Sequence, residues 1–230
     1  FTKATTPSIG TFGSSASTAG QPAEDADDVD SHGGHSCFSV SADGYSIVLD
    51  PYAPDSVPGL PPLSLSASQV LCSHGHSDHG YTDAVGLSAG KQGSPFTVTV
   101  IHTFHDDQNG SLRGENRIHI LEADGLRIAH LGDLGCTLEP GQMELLKDLD
   151  AIMIPVGGYY TIDAAQARTL VEAVKPRIVI PMHYRSETFG YDVIGRLEDY
   201  TKLCRDVVTY ASAFMVLEKD TPAQTAVLSL

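Results

Sequence analysis

Ser73-His74-Gly75-His76-Ser77-Asp78-His79 is the stretch on which the reading of this chain turns. It spells H-x-H-x-D-H, three imidazoles and a carboxylate on one short loop. A packed core has no use for such a cluster. Imidazole and carboxylate are ligand types that suit zinc, iron or manganese, and this loop carries enough of them to start two metal sites.

Working outward, Gln69-Val70-Leu71-Cys72 predicts a short strand that runs straight into the loop. Phe38-Ser39-Val40 and Tyr45-Ser46-Ile47-Val48-Leu49, separated by Ala42-Asp43-Gly44, predict a β-hairpin turned by Asp-Gly. Further strands are expected at 96–101, 117–121, 126–131, 151–155, 178–180, 207–209, 213–217 and 226–230. Helices are expected at 141–149, 162–174 (capped by Thr161 or Asp163) and 193–204. A β-rich half followed by strand–helix alternation implies layered sheets with helices outside. Several strand ends carry a group with chemistry. Asp50 ends the hairpin, the histidine loop follows residues 69–72, His105 follows 96–101, Asp133 follows 126–131 and His183 follows 178–180. A sheet gathers groups at its strand ends around a shared crevice.

The bulk numbers bound the rest. A chain of 230 residues, 41% hydrophobic, suits one domain with a sizeable core. Asp and Glu outnumber Lys and Arg 29 to 14, a net charge of −15, which repels a phosphate backbone, so no nucleic-acid partner is expected. No apolar run approaches the roughly 20 residues of a bilayer span. Cys37, Cys72, Cys136 and Cys204 form no C-x-x-C pair and read as free thiols. Cys72 is expected to be a buried strand residue, the alternative being a redox-sensitive neighbour of the metals. Residues 1–31, rich in Ser, Thr, Ala and Gly and then acidic, are expected to form a flexible tail, with the domain at 32–230. A cytoplasmic location is expected, with export the alternative if a signal peptide preceded Phe1.

The order Asp50, H-x-H-x-D-H, His105, Asp133, His183 resembles the metallo-β-lactamase superfamily over about residues 33–230. The surrounding segments, among them Gly34-His35-Ser36-Cys37-Phe38, Leu49-Asp50-Pro51-Tyr52, Gly110 to Asn116 and Pro155-Val156-Gly157-Gly158, are similar to uncharacterised metal-dependent hydrolases related to ascorbate-6-phosphate lactonase. The resemblance implies a four-layer αββα sandwich and two divalent metal ions. Zinc is expected first, with manganese or iron as alternatives. His74, His76 and His105 would bind the first ion. Asp78, His79 and His183 would bind the second. Asp133 would bridge them, so that Asp78 and Asp133 carry the catalytic centre. Asp50 would orient a ligand histidine from behind, and His130, ahead of the Gly132-Asp133 turn, is a further candidate to support the site from behind its ligands. Two such ions lower the pKa of a shared water to about 7, as hydrolysis of an ester, lactone or phosphoester needs.

Other residues have two readings each. His35 either faces the site or holds backbone near Gly33-Gly34. Tyr160 and Tyr184 could offer hydroxyls to a substrate, and Arg113 and Arg185 could hold its anionic group. For Arg117 a surface salt bridge is expected. His102 and His119 read as packing or surface residues. The function expected is hydrolysis of a small, anionic molecule. The alternatives are a metal-binding or sensing protein without turnover and a phosphodiesterase or nuclease of the same fold. Oligomeric state is not legible.

Overall fold

The hydrophobic pattern produces two stacked sheets of unequal size. The computed structural model describes residues 9–12, 34–88 and 93–229. Strand β1 (Ile9–Phe12) comes first, then the hairpin β2 (Phe38–Ala42) and β3 (Tyr45–Leu49), joined through Asp43 and Gly44, both at positive φ. Short strands β4 (Leu65–Ala67), β5 (Gln69–Leu71) and β6 (Val85–Leu87) follow. Strands β7 (Thr97–Phe104), β8 (Glu115–Ala123) and β9 (Leu126–His130) form an antiparallel meander. Helix α1 (Pro140–Leu145), β10 (Ala151–Pro155), α2 (Ala164–Val174), β11 (Ile178–Met182), α3 (Leu197–Thr201), β12 (Val207–Tyr210), β13 (Met215–Leu217) and β14 (Gln224–Leu228) complete the chain.

The large sheet has the order β12-β14-β11-β10-β9-β8-β7, and its strands from β12 to β9 run parallel. Parallel strands covered on both faces read as continuous apolar runs. Accordingly every residue of β10 and β11 is buried. One face packs Leu126, Ile128, Met153 and Ile180 against Phe38, Val40, Ile47 and Leu49 of the small sheet β2-β3-β5. The other face packs Ile152 and Ile154 under Ala167, Val171 and Val174 of α2. This is the expected mixed α/β fold. Over the outer face of the small sheet the described residues place the β4–β6 pair, a 3₁₀ turn at Thr82–Ala84 and the proline loop, pinned where the Tyr52 hydroxyl donates to the Pro61 carbonyl at 3.0 Å.

Helix α2 begins at a capping box. The Asp163 carboxylate accepts from the Gln166 N–H at 2.8 Å, and the Gln166 side-chain oxygen accepts from the Asp163 N–H at 2.9 Å. Two helices are shorter than the periodicity predicts. In the 193–204 segment the Gly195 N–H donates to the Gly157 carbonyl and its own carbonyl accepts from the Arg185 N–H, so the helix starts only at Leu197. The 141–149 helix stops at Leu145, ahead of Asp148 at positive φ. Within the expected tail, Ile9–Phe12 forms β1 and pairs antiparallel with β13; for these four residues the expectation of a structureless segment fails, because the open edge of β13 supplies backbone partners. The rest of 1–31 lies outside the described residues. No helix among them is long and apolar enough to cross a membrane.

Ile128 is fully buried in the sandwich interior. Ile128→Ala should lower stability by about 2–5 kcal/mol, whereas the loss of the exposed cap in Asp163→Ala should cost about 1 kcal/mol. Denaturant midpoints of the two variants measure both.

Candidate metal centre

The geometry is set from behind by Asp50. This fully buried carboxylate follows β3 in the left-handed region, φ 47°. Oδ1 accepts from the Ser73 N–H at 2.6 Å; Oδ2 accepts from the Ser73 hydroxyl at 2.5 Å and lies 2.8 Å from His79 Nδ1. The end of β3 thereby holds both ends of the histidine loop. Burial pushes the Asp50 carboxyl up, but the His130 and His79 rings and the Ser73 hydroxyl outweigh it and hold the group at about 2. A carboxylate on Nδ1 leaves Nε2 of His79 facing the crevice.

Asp133 occupies the centre. One carboxylate oxygen is 3.2 Å from His79 Nε2; the other is 3.2 Å from Nε2 of both His105 and His183. Its backbone N–H donates to Asn116 Oδ1 at 2.9 Å, and Asn116 donates in turn to Thr103 Oγ1 and the Leu131 carbonyl. Gly132 makes the approach possible: at φ 54°, a Cβ there would lie 2.3 Å from Ser73 Cβ and 2.4 Å from Asn116 Oδ1.

Around Asp133 the potential ligands fall into overlapping groups. His74, His76 and His105 form one; His35, Asp78, His79 and His183 form another; Asp50, His74 and His79 form a third, in which Asp50 sits behind the ring. Within each, the ligand-type atoms lie within 4.8 Å of one another. The donor set fits divalent metal ions because it is left unsatisfied by the protein. His74 Nε2, His79 Nε2 and Asp133 Oδ1 are buried with no aligned hydrogen-bond partner. Burial holds His74 down at about 3 and also lowers His105, which keeps these rings neutral, the form that binds metal. Burial raises Asp133, but the rings of His183 and His79 hold its carboxyl well below the usual range. For His79 burial is outweighed by Asp133 and Asp50, and its pKa is raised.

His130 lies behind the site and bonds backbone. It makes no hydrogen bond to a ligand side chain. Its Nε2 lies 2.9 Å from the Ser36 carbonyl and its Nδ1 accepts from the Gly132 N–H at 3.2 Å, so it ties the loop of His35 to the loop of Asp133. His119 is buried opposite it on β8, and His102 is exposed on β7.

A hollow of about 340 Å³ opens beside the loop, lined by Ser73, His74, His76, Arg113, Glu115 and Arg117. The Arg113 guanidinium lies 5.5 Å over the ring of Tyr160, which faces Tyr191 at 5.9 Å. Arg117, expected in a surface salt bridge, forms none among the described residues and faces the hollow instead. Tyr184 and Arg185 are not brought there. The chain turns after His183, so Tyr184 packs into the helix-side core against Phe189 at 5.8 Å, and Arg185 Nε donates to the Ile194 carbonyl at 3.0 Å. Burial pushes the Tyr184 phenol up to about 12. Cys72 is half-buried, with its thiol pushed up to about 11 by burial and then by Asp50, so it is not a ready thiolate.

Three supporting residues escaped the sequence reading. Ser73 was quoted only as a loop flank. Asp106 accepts from the N–H groups of Gln108, Gly110, Leu112 and Arg113 at 2.7–3.0 Å and so shapes the loop that presents Arg113. Tyr191 lies 113 positions from Asp78 yet donates toward its Oδ2 at 3.2 Å. Asp106 ahead of Asn109-Gly110 was a readable turn signal; Tyr191 left none.

Strand ends converging on an imidazole–carboxylate cluster between two sheets define a metallo-hydrolase-type scaffold. Residues 31–183 match the model of the beta-lactamase superfamily domain, and the chain belongs to that superfamily. It is 28% identical over 210 residues to a UPF0173 metal-dependent hydrolase from Thermoplasma acidophilum, covering 77% of this chain and 91% of that one. It is 26% identical over 204 residues to a UPF0173 metal-dependent hydrolase from Carboxydothermus hydrogenoformans, covering 72% and 88%. The crystal structure of a candidate Zn-dependent hydrolase of the metallo-beta-lactamase superfamily from Thermotoga maritima superposes with a TM-score of 0.65 at 27% identity, covering 85% of this chain and 95% of that one.

A methyl at Gly132 would force Ser73 and Asn116 apart in the left-handed region. Gly132→Ala should cost about 3 kcal/mol or more, read from the denaturant midpoint of the metal-free protein.

Proposed function

We propose that this chain is a metal-dependent hydrolase with a dinuclear centre that cleaves an ester, lactone or phosphoester bond in a small, anionic molecule. The observation that carries the reading is that two groups of metal-ligand side chains, His74, His76 and His105 in one and Asp78, His79 and His183 in the other, gather around Asp133, whose carboxylate lies 3.2 Å from ring nitrogens of His79, His105 and His183. In this reading Asp133 would be shared between the two ions. The relatives named metal-dependent hydrolases support the reaction class.

Divalent ions held by these residues would supply a Lewis acid for a carbonyl or phosphoryl oxygen and would bring the pKa of water to about 7. The chain's own residues do the rest. Asp50 fixes the ring of His79, and Ser73 bonds both Asp50 and His74 Nδ1, so the loop enters the crevice in one geometry. Asn116 and Gly132 fix the backbone of Asp133. Arg113 and Arg117 bring positive charge to the hollow beside His74 and His76, partly offset by Glu115. The hollow suits a negatively charged substrate group, and Tyr160 holds the plane of Arg113. The chain's net charge of −15 disfavours nucleic acid as that substrate.

Elemental analysis of protein purified without chelator should give about two divalent ions per chain, by the dinuclear reading. Turnover on a panel of esters, lactones and phosphodiesters should vanish with chelator and return with metal. Metals bound without turnover across the panel would overturn the hydrolase reading. Asp133→Ala should lose both metal occupancy and turnover; a variant retaining two metals and full rate would refute the shared carboxylate. Arg113→Ala should raise KM for an anionic substrate about 10- to 100-fold with a smaller change in kcat, the scale of one charge-assisted hydrogen bond. Equal effects on a neutral analogue would sink the anion-binding role.

A further inference from the structure

His35 lies outside the ligand set that the superfamily resemblance implies, yet it is set into the centre. It is completely buried, and neither Nδ1 nor Nε2 has a hydrogen-bond partner. Its Nε2 is 3.6 Å from Asp78 Oδ2. Its ring lies 4.1 Å from that of His183 and 5.3 Å from that of His79. The ligand-type atoms of His35, Asp78, His79 and His183 all lie within 4.8 Å of one another.

A histidine kept only for structure would bond the backbone through its ring. Leaving a buried imidazole unpaired costs stability. Here the backbone around it makes the structural bonds instead. The His35 carbonyl accepts from the His183 N–H at 3.0 Å, the Ser36 carbonyl is bonded by the His130 ring, and the Cys37 N–H donates to the Gly34 carbonyl. His35 and His183 both hold left-handed φ, 57° and 53°, a conformation that costs a non-glycine residue energy and recurs at functional sites. The loop is held, and the ring is free.

We propose that His35 is a protein ligand to the ion bound by Asp78, His79 and His183, an inference that rests on the dinuclear reading above. The centre is then unequal. The His74, His76 and His105 side offers three imidazoles and a share of Asp133, a four-donor set that suits tetrahedral zinc. The other side offers three imidazoles, Asp78 and a share of Asp133, a five-donor set that suits an ion of higher coordination number such as manganese or iron. His35 thereby sets which metal the second position prefers.

The test is metal binding, independent of any substrate. Equilibrium dialysis with Zn²⁺ and Mn²⁺ separately, on the wild type and on His35→Asn, reads stoichiometry and affinity. Asn tolerates left-handed φ and lacks the reach of the imidazole. The variant should keep one tight zinc, while its second binding constant weakens at least tenfold, most for Mn²⁺. His35→Phe, which keeps a planar ring without donors, should do the same. Unchanged second-site affinity in both variants would overturn the proposal. A wild type that holds one ion or none would instead overturn the dinuclear reading. A third arm needs no variant. In the Co²⁺-loaded wild type, paramagnetically shifted imidazole N–H signals should report six bound histidines; five would exclude His35 even if both variants failed to fold.

Discussion

A single buried carboxylate, Asp133, meets imidazole nitrogens from three separate segments at 3.2 Å, and much of the architecture serves to keep it there. The segment bearing His79 follows the small sheet, and those bearing Asp133 and His183 follow strands of the large one. Neither sheet alone can assemble the cluster. The packing of Phe38, Ile47 and Leu49 against Ile128, Met153 and Ile180 is therefore also what sets the distance between donors. Burial makes the arrangement costly without a cation, since unpaired polar atoms in a low-dielectric interior are expensive. It also makes the cluster a strong trap for one, since the desolvation is already met by the fold.

The loops that deliver these groups hold strained backbone where it counts. His35, Asp50 and His183 all occupy left-handed φ. Each is followed within the crevice by a hydrogen bond that offsets the strain: the Ser73 N–H to Asp50, the His183 N–H to the His35 carbonyl, the His130 ring to the Ser36 carbonyl. Gly132 and Gly157 admit backbone so close that any side chain would collide, with Ser73 in one case and with the His183 carbonyl, 2.2 Å from a Cβ, in the other. Rigidity is distributed around the rim, where Ser73, Asp50 and Asn116 fix His74, His79 and the backbone of Asp133.

Much of this was legible in the chain before folding. The strand ends could be placed because apolar runs such as those at 126–131 and 178–180 lead within three residues to Asp133 and His183, and because H-x-H-x-D-H has little other use. The hairpin at Asp43-Gly44 was equally plain. What escaped was long-range. Nothing local distinguishes Tyr184, which turns into the helix-side core, from Tyr160, which stacks under Arg113. Arg117 looked like an ordinary strand arginine until β8 placed it beside the histidine loop. The tail hid β1 because four residues of strand are diluted by Ser, Thr and Ala on both sides. The helix expected at 193–204 was shortened by tertiary bonds at Gly195 that no periodicity encodes. Local pattern specifies where groups emerge; only the packing of the two sheets decides which of them meet.

The charge of the molecule and the charge of its hollow point in opposite directions, and the contrast bears on substrate choice. At a net −15 the surface repels anions at a distance, but that repulsion is screened over about 8–10 Å in physiological salt. Within that distance the local groups decide. Arg113 and Arg117 stand free of carboxylate partners among the described residues, in a chain where acidic groups outnumber basic ones two to one. A large polyanion would meet the repulsive surface over its whole length and gain from the two arginines at one point. A small anion meets little more than the hollow itself. The same electrostatics that would favour a compact anion beside His74 and His76 therefore works against an extended phosphate backbone.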